Sequence, residues 1–295
     1  MRTPVFTGMC PALVTPFYES GAINFTAFGA QIERQLAAGA DALCVCGTTG
    51  EASTLSLEER DQLISCCVQR TAHRAKVIAG TGSNDTAAAV EASRHARQLG
   101  ADALLVVTPY YNKTTQIGLV RHYERIADQA DLPVILYNVP SRTGMSFAAE
   151  TYRELARNPN INGVKEASGS FPLFTRTLAV CPPDFTVWCG NDDLPVPMMA
   201  LGAKGVISAS ANVIPDVMVQ LARLCLSGRF REAADLQIGH SDLLDALFAE
   251  VNPIPIKAAM NLLELEAGPL RAPLCDPSEA TLLRLSSLLA DKEIL

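Results

Sequence analysis

The chain has one tryptophan and four histidines in 295 residues. No apolar run approaches the ~18 residues that suggest a membrane span. The start, Met1-Arg2-Thr3-Pro4-Val5-Phe6, lacks the apolar stretch of a secretory signal, so a cytoplasmic protein is expected. No CxxC occurs among the nine cysteines, whose number is odd and whose spacing is unpaired. That argues against a disulfide framework, a zinc ribbon or a thioredoxin-like site, and predicts buried free thiols in a reducing compartment. Positive charge is in deficit: Lys plus Arg number 24 against 31 Asp plus Glu, a net charge of −7. Such a chain has no electrostatic reason to seek nucleic acid or an anionic membrane, and an anionic substrate would need local positive charge. Gly80-Thr81-Gly82-Ser83-Asn84 is glycine-rich but lacks the lysine spacing of a P-loop. His73, His95, His122 and His240 all fall on helical stretches, so no catalytic metal is expected.

The composition that remains is that of an ordinary globular protein, 48% hydrophobic and 19% charged, which excludes a disordered or fibrous class. Short apolar segments recur, each followed by a helical pattern. They are Met9–Val14, Ala42–Cys46, Val77–Gly80, Ala103–Thr108, Val134–Asn138, Ile161–Lys165, Thr186–Cys189 and Gly205–Ser208. All are bounded by Gly, Pro, Asn or Asp, as buried parallel strands are. Between them lie Ala27–Ala38, Ser56–Ala72 with Ser56, Glu58 and Glu59 at its start, and Thr86–Leu99. Eight such units predict a closed (β/α)8 TIM barrel. An open doubly wound sheet would carry a glycine-rich turn after its first strand, where this chain has Thr15-Pro16-Phe17. After Ala211 only helices are predicted, over Val213–Ser227, Phe230–Phe248, Pro255–Leu265 and Pro277–Leu289. The division expected is a barrel over 1–228 and a short helical appendage over 229–295.

Barrel active sites lie at the C-terminal ends of the strands, so the residues there are the candidates. Lys165 closes an apolar strand, where an ammonium is costly to bury. Burial favours the neutral amine, the nucleophile that a carbonyl substrate requires. The alternative is a lysine paired with Glu166 or Asp192. Tyr137, near the end of its strand, suits proton transfer, and Thr48 and Tyr111 could extend a relay; each alone could equally be packing. Gly47 and Gly50 open the backbone of Gly47-Thr48-Thr49-Gly50-Glu51 to a carboxylate, or merely shape a turn. Arg142 suits bidentate carboxylate binding, or else a surface ion pair. Cys44 and Cys46 read as core.

Taken together, these segments resemble the dihydrodipicolinate synthase family, within the superfamily that includes N-acetylneuraminate lyase. The resemblance runs through Ala12–Phe17, Gly47–Glu51, Val77–Gly82, Val107–Lys113, Tyr137–Gly144, Gly163–Ala167 and Asn252–Lys257. Gly-Thr-Thr-Gly-Glu, the Tyr110-Tyr111 pair and Arg142 favour the synthase over the neuraminate lyases, which look like Gly-Ser-Thr-Gly-Glu. The resemblance implies an imine between Lys165 and pyruvate, and a relay of Thr48, Tyr137 and Tyr111. It implies Thr48 and Thr49 on the pyruvate carboxylate, Arg142 on the carboxylate of L-aspartate 4-semialdehyde, and backbone at Gly190 and Ile207 lining the pocket. It implies a homo-oligomer, usually a tetramer of two tight dimers with Tyr111 reaching into the neighbouring subunit, and no cofactor. Lysine-inhibited members carry histidines near Leu57 and Arg60 and a glutamate near Ala88, while Asn84 and Tyr110 persist. Here that effector site is degenerate, so L-lysine should inhibit weakly or not at all. The rival readings are an aldolase acting on a sugar acid, such as N-acetylneuraminate or 2-keto-3-deoxygluconate, and a non-catalytic keto-acid sensor.

Overall fold

The computed structural model describes all 295 residues. Eight parallel strands run β1 (Gly8–Pro11), β2 (Ala42–Val45), β3 (Lys76–Gly80) and β4 (Ala103–Val107). They continue with β5 (Val134–Asn138), β6 (Ile161–Glu166), β7 (Thr186–Cys189) and β8 (Gly205–Ser208). The helices between them are α1 (Phe25–Ala38), α2 (Leu57–Thr71), α3 (Thr86–Gln98), α4 (Gln116–Ala130) and the short α5 (Pro140–Thr143). There follow α6 (Ala149–Leu155), α7 (Phe171–Val180), α8 (Pro195–Ala200) and α9 (Pro215–Leu226). The chain ends with α10 (Phe230–Gly239), α11 (Ser241–Ala246), α12 (Ile254–Leu262) and α13 (Glu279–Asp291).

Consecutive strands pair from β2 to β8, and β8 pairs with β1. The last gap is closed by a bridge between Ala12 and Cys44, with Leu13 N donating to Cys44 O at 2.9 Å. The result is the (β/α)8 TIM barrel that the strand–helix rhythm predicts. Alternate strand residues point to opposite faces, and two apolar layers follow. Cys10, Ala42, Cys44, Ile78, Ile135 and Ile207 are among the 14 residues that fill the barrel. Trp188 stacks on Phe6, ring centroids 5.2 Å apart, and donates from its indole to Phe6 O at 3.1 Å. Opposite residues such as Met9, Leu43 and Leu104 join a 67-residue cluster under the helices. Leu243, Leu247, Ile256, Met260 and Leu285 belong to that same cluster, so the helices after residue 228 share the barrel's outer core.

Ser56 and Glu59 form the capping box that their spacing suggests, with Glu59 N donating to Ser56 Oγ at 3.1 Å and Ser56 N to Glu59 at 2.9 Å. Three sequence expectations need correction. The first strand stops at Pro11, because Val14 N donates to the Asn212 side chain instead of to a neighbouring strand. The helix expected over Phe230–Phe248 is two helices, α10 and α11, broken at His240 after Gly239, a weak helix former. Six cysteines are buried as expected, but Cys66 and Cys181 are partly exposed and Cys275 is exposed; all nine are free thiols.

Candidate active site

Lys165 sits on β6 between Tyr137 of β5 and Trp188 of β7, its strand neighbours in register. It is 6% exposed and in no ion pair within 4 Å, while its Nζ lies over the Tyr137 ring, 4.6 Å from the centroid. The two carboxylates that could have neutralised it are engaged elsewhere. Glu166, the next residue, points to the opposite face and accepts from the Tyr152 hydroxyl at 2.9 Å, Asn138 Nδ2 at 3.1 Å and Ser168 N at 2.8 Å. Asp192 accepts from the backbone of Ala209 at 3.0 Å and Ser210 at 2.7 Å. Burial raises the Asp192 carboxyl above its ordinary range, and the Ser210 hydrogen bond opposes that rise. Cys44 lies in the barrel interior; burial pushes its thiol up to about 11, with the Lys165 charge opposing, which keeps it neutral core.

Gly190, just past β7, makes room for the lysine stem. A Cβ there would lie 3.0 Å from Lys165 Cε and Cγ and 2.7 Å from Ala167 Cβ. Ile207 of β8 is 1% exposed and faces the same interior. Thr48, Tyr137 and Arg142 line one cavity of about 330 Å³ at the C-terminal end of the barrel, together with Cys46, Val107 and Thr143. Tyr137 thus joins this cavity to the buried amine: one residue lines the one and carries the other on its ring. Arg142 makes no surface ion pair; its guanidinium donates to Asn252 O at 2.9 Å.

The loop after β2 folds back on itself, Gly50 N donating to Gly47 O at 3.1 Å and Glu51 N to Thr48 O at 3.0 Å. Gly50 is closely packed, since a Cβ would stand 3.0 Å from Leu13 O; Gly47 is spacious, its nearest contact being Cys44 Sγ at 3.6 Å. The C-terminal region locks this loop. Lys257 and Glu51 form a fully buried ion pair at 2.8 Å, and Lys257 also donates to Pro269 O at 2.7 Å. Arg271 N donates to Glu51 at 2.9 Å, and Asn252 Nδ2 donates to Thr49 Oγ1 at 3.0 Å. The Thr15-Pro16-Phe17 turn supports the same loop: Thr15 donates to Gly50 O at 2.7 Å, and Lys257 Nζ lies 4.3 Å from the Phe17 ring centroid. Asn252, Lys257 and Arg271 carry no individual signal in the sequence, although the Asn252–Lys257 segment stands out as a motif.

Not every candidate is brought together. Tyr111 is 93% exposed, at a φ of 66°, and is not on the wall of the cavity. Of the expected effector residues, Arg60 and Tyr110 line the same cavity as Tyr137 and Arg142. Leu57 and Ala88 are exposed at the starts of α2 and α3, and Asn84 accepts from Asn112 Nδ2 through its backbone carbonyl at 3.0 Å. Arg60 donates to Ala52 O at 2.6 Å, while its Nε is buried without a partner. None of the histidines is at a strand end: His95 is 2.9 Å from Asp61, His122 is 2.9 Å from the Thr86 hydroxyl, and His240 is 2.9 Å from Leu236 O.

Residues 5–292 match the Dihydrodipicolinate synthetase family. The chain is 48% identical over 291 residues to a 4-hydroxy-tetrahydrodipicolinate synthase of Acetivibrio thermocellus, covering 99% of each chain. It also matches the crystal structure of dihydrodipicolinate synthase from Aquifex aeolicus, at TM-score 0.96 and 42% identity, covering 98% of this chain and 99% of that one. A crystal structure of the chloride-inhibited dihydrodipicolinate synthase of Acinetobacter baumannii complexed with pyruvate is similar at TM-score 0.96 and 38% identity, covering 98% and 99% of the two chains.

Proposed function

The chain belongs to the dihydrodipicolinate synthetase family, and we propose that it condenses pyruvate with L-aspartate 4-semialdehyde to give 4-hydroxy-tetrahydrodipicolinate, in lysine and diaminopimelate biosynthesis. The observation that carries this reading is an unpaired lysine near the end of β6, buried against Tyr137, which itself lines a cavity together with Thr48 and Arg142.

The Lys165 amine attacks C2 of pyruvate, and the carbonyl oxygen leaves as water, its protons moved by Tyr137 and Thr48. The resulting iminium accepts the electron pair released when a methyl proton is removed, which gives an enamine. The enamine carbon attacks the aldehyde carbon of the second substrate, whose oxygen takes up a proton as the new hydroxyl. The substrate's own amine then adds to the imine carbon and expels the Lys165 amine, closing the six-membered ring. The lysine imine supplies the carbanion stabilisation that a cofactor would otherwise bring, so the chemistry calls for none.

Thr48 and Thr49 hold the pyruvate carboxylate, beside backbone at Gly190 and Ile207. Arg142, farther along the cavity wall, takes the carboxylate of the semialdehyde. Tyr111 completes the relay across the interface of a homo-oligomer, a tetramer of two dimers; its exposed ring on a left-handed backbone suits that role. A cytoplasmic location fits nine free thiols and a biosynthetic reaction, and no helix is long and apolar enough to cross a membrane. Lysine feedback is weak, because the positions expected to hold the effector carry Leu57, Arg60 and Ala88.

A ring-product assay with pyruvate and aspartate semialdehyde, run beside cleavage assays on N-acetylneuraminate and 2-keto-3-deoxygluconate, tests the reading. Ring formation alone supports it. Turnover of a sugar acid in preference to ring formation would replace it with the aldolase reading.

A further inference from the structure

We propose that Asn252 is a positioning residue for this reaction: its side-chain amide sets the direction of the Thr49 hydroxyl, and its backbone carbonyl holds Arg142. The proposal rests on the reading of Thr49 as a ligand of the pyruvate carboxylate. A threonine hydroxyl has one proton and two acceptor sites. Asn252 Nδ2 donates to Thr49 Oγ1 at 3.0 Å, so one acceptor site is filled. No hydrogen bond from the Thr49 hydroxyl to any protein group accompanies it, and Thr49 is only 3% exposed. Its proton is therefore left to donate to a carboxylate.

The same residue also reaches a group on the cavity wall: Arg142 donates to Asn252 O at 2.9 Å. One residue from the C-terminal region thus touches both proposed substrate-binding groups, Thr49 by its side chain and Arg142 by its backbone. The two contacts separate under mutation. A side-chain substitution removes the amide from Thr49 but keeps the carbonyl under Arg142. The loop's own fold has independent support from Thr15 on Gly50 O at 2.7 Å and from Lys257 on Glu51 at 2.8 Å.

The direction of donation makes a specific demand. Asn252→Ala removes a donor and leaves Thr49 free to rotate. Asn252→Asp, closer in shape, does more harm: its carboxylate accepts the hydrogen bond from the Thr49 hydroxyl and sets a negative charge against the substrate's own. A residue needed only for packing would show the opposite order.

The test is borohydride trapping of pyruvate on Lys165 as a function of pyruvate concentration, with steady-state KM values for both substrates. Asn252→Ala should raise the pyruvate half-saturation about tenfold, the loss of one hydrogen bond, and Asn252→Asp by a further ~tenfold. KM for aspartate semialdehyde should stay near its original value in both. Lowering the pH should return part of the pyruvate affinity to Asn252→Asp alone, as its carboxyl takes a proton. Thr49→Val, which removes the hydroxyl at constant shape, should match Asn252→Ala, and combining the two should add nothing further. Thr49→Val sets the full contribution of the hydroxyl, against which the Asn252 variants, checked as folded by circular dichroism, are compared. Wild-type saturation in Asn252→Ala, or an Asn252→Asp variant better than Asn252→Ala, would overturn the proposal. Failure of the unaltered protein to trap pyruvate at Lys165 would overturn the underlying reading, and this proposal with it.

Discussion

Gly190→Ala asks how closely the amine must be placed. The backbone at Gly190 lies outside the left-handed region, so a methyl group adds volume without backbone strain. Its carbon would stand 3.0 Å from Lys165 Cε and Cγ, where ordinary contact begins near 3.4 Å. It would also stand 2.7 Å from Ala167 Cβ, a short side chain with nowhere to turn. The lysine stem is the flexible partner, so it gives by a few tenths of an ångström, and the amine it carries is displaced with it. Misplacement on the order of 1 Å costs up to ~10²-fold in rate when reacting atoms must meet within a narrow geometry. Overpacking of this size costs about 1–3 kcal/mol of stability, which a 295-residue barrel can lose while staying folded. Single-turnover imine formation, quenched with borohydride, should therefore slow by roughly 10- to 100-fold, with a small fall in Tm and a native circular dichroism spectrum. An unchanged rate of imine formation in the folded variant would refute this placement of Lys165 against Gly190.

Three further outcomes follow from particular contacts. Lys257→Met leaves the Glu51 carboxylate buried and unpaired, and should cost about 3–5 kcal/mol in urea unfolding; adding Glu51→Gln should restore much of it. Burial holds the His122 imidazole down to about 4 against 6.5 for the free side chain, with Asp85 opposing. The unfolded chain then binds the extra proton first, so this stability is complete above pH 6.5 and is lost as the pH falls toward 4. The loss should reach about 2–3 kcal/mol, and His122→Phe should flatten the dependence in that window. L-lysine should not half-inhibit initial rates below about 1 mM, because replacing a carboxylate by Ala88 removes a charge-assisted bond worth one to two decades of affinity; half-inhibition well below that concentration would show an intact effector site.

The barrel is legible in the sequence because its strands are buried on both faces and so read as unbroken apolar segments, Val134–Asn138 and Thr186–Cys189 to the residue. Lys165 is legible for the same reason: a cationic side chain closing such a segment is an anomaly that calls for either a buried partner or chemistry, and the fold shows no ion pair to it. Contacts between distant parts of the chain leave no such trace. Asn252 meets Thr49 across 203 residues, and Arg271 meets Glu51 across 220, with no periodicity linking them. The Thr15-Pro16-Phe17 turn belongs to a recognisable segment, but its work, steadying the Gly47–Glu51 loop and stacking under Lys257, exists only in the fold. The family resemblance sets Arg60 at an effector position, yet in the fold it lines the same cavity as Arg142. The exposure of Tyr111 is likewise a property of three-dimensional packing and not of the Tyr110-Tyr111 pair itself.

The central claim is that Lys165 is the nucleophile. Incubation with pyruvate and borohydride, followed by peptide mass mapping, tests it directly. One reduced pyruvyl group per chain is expected, on the peptide that contains Lys165, with none in Lys165→Ala. A label on another lysine such as Lys257, or no label while ring product still forms, would contradict it.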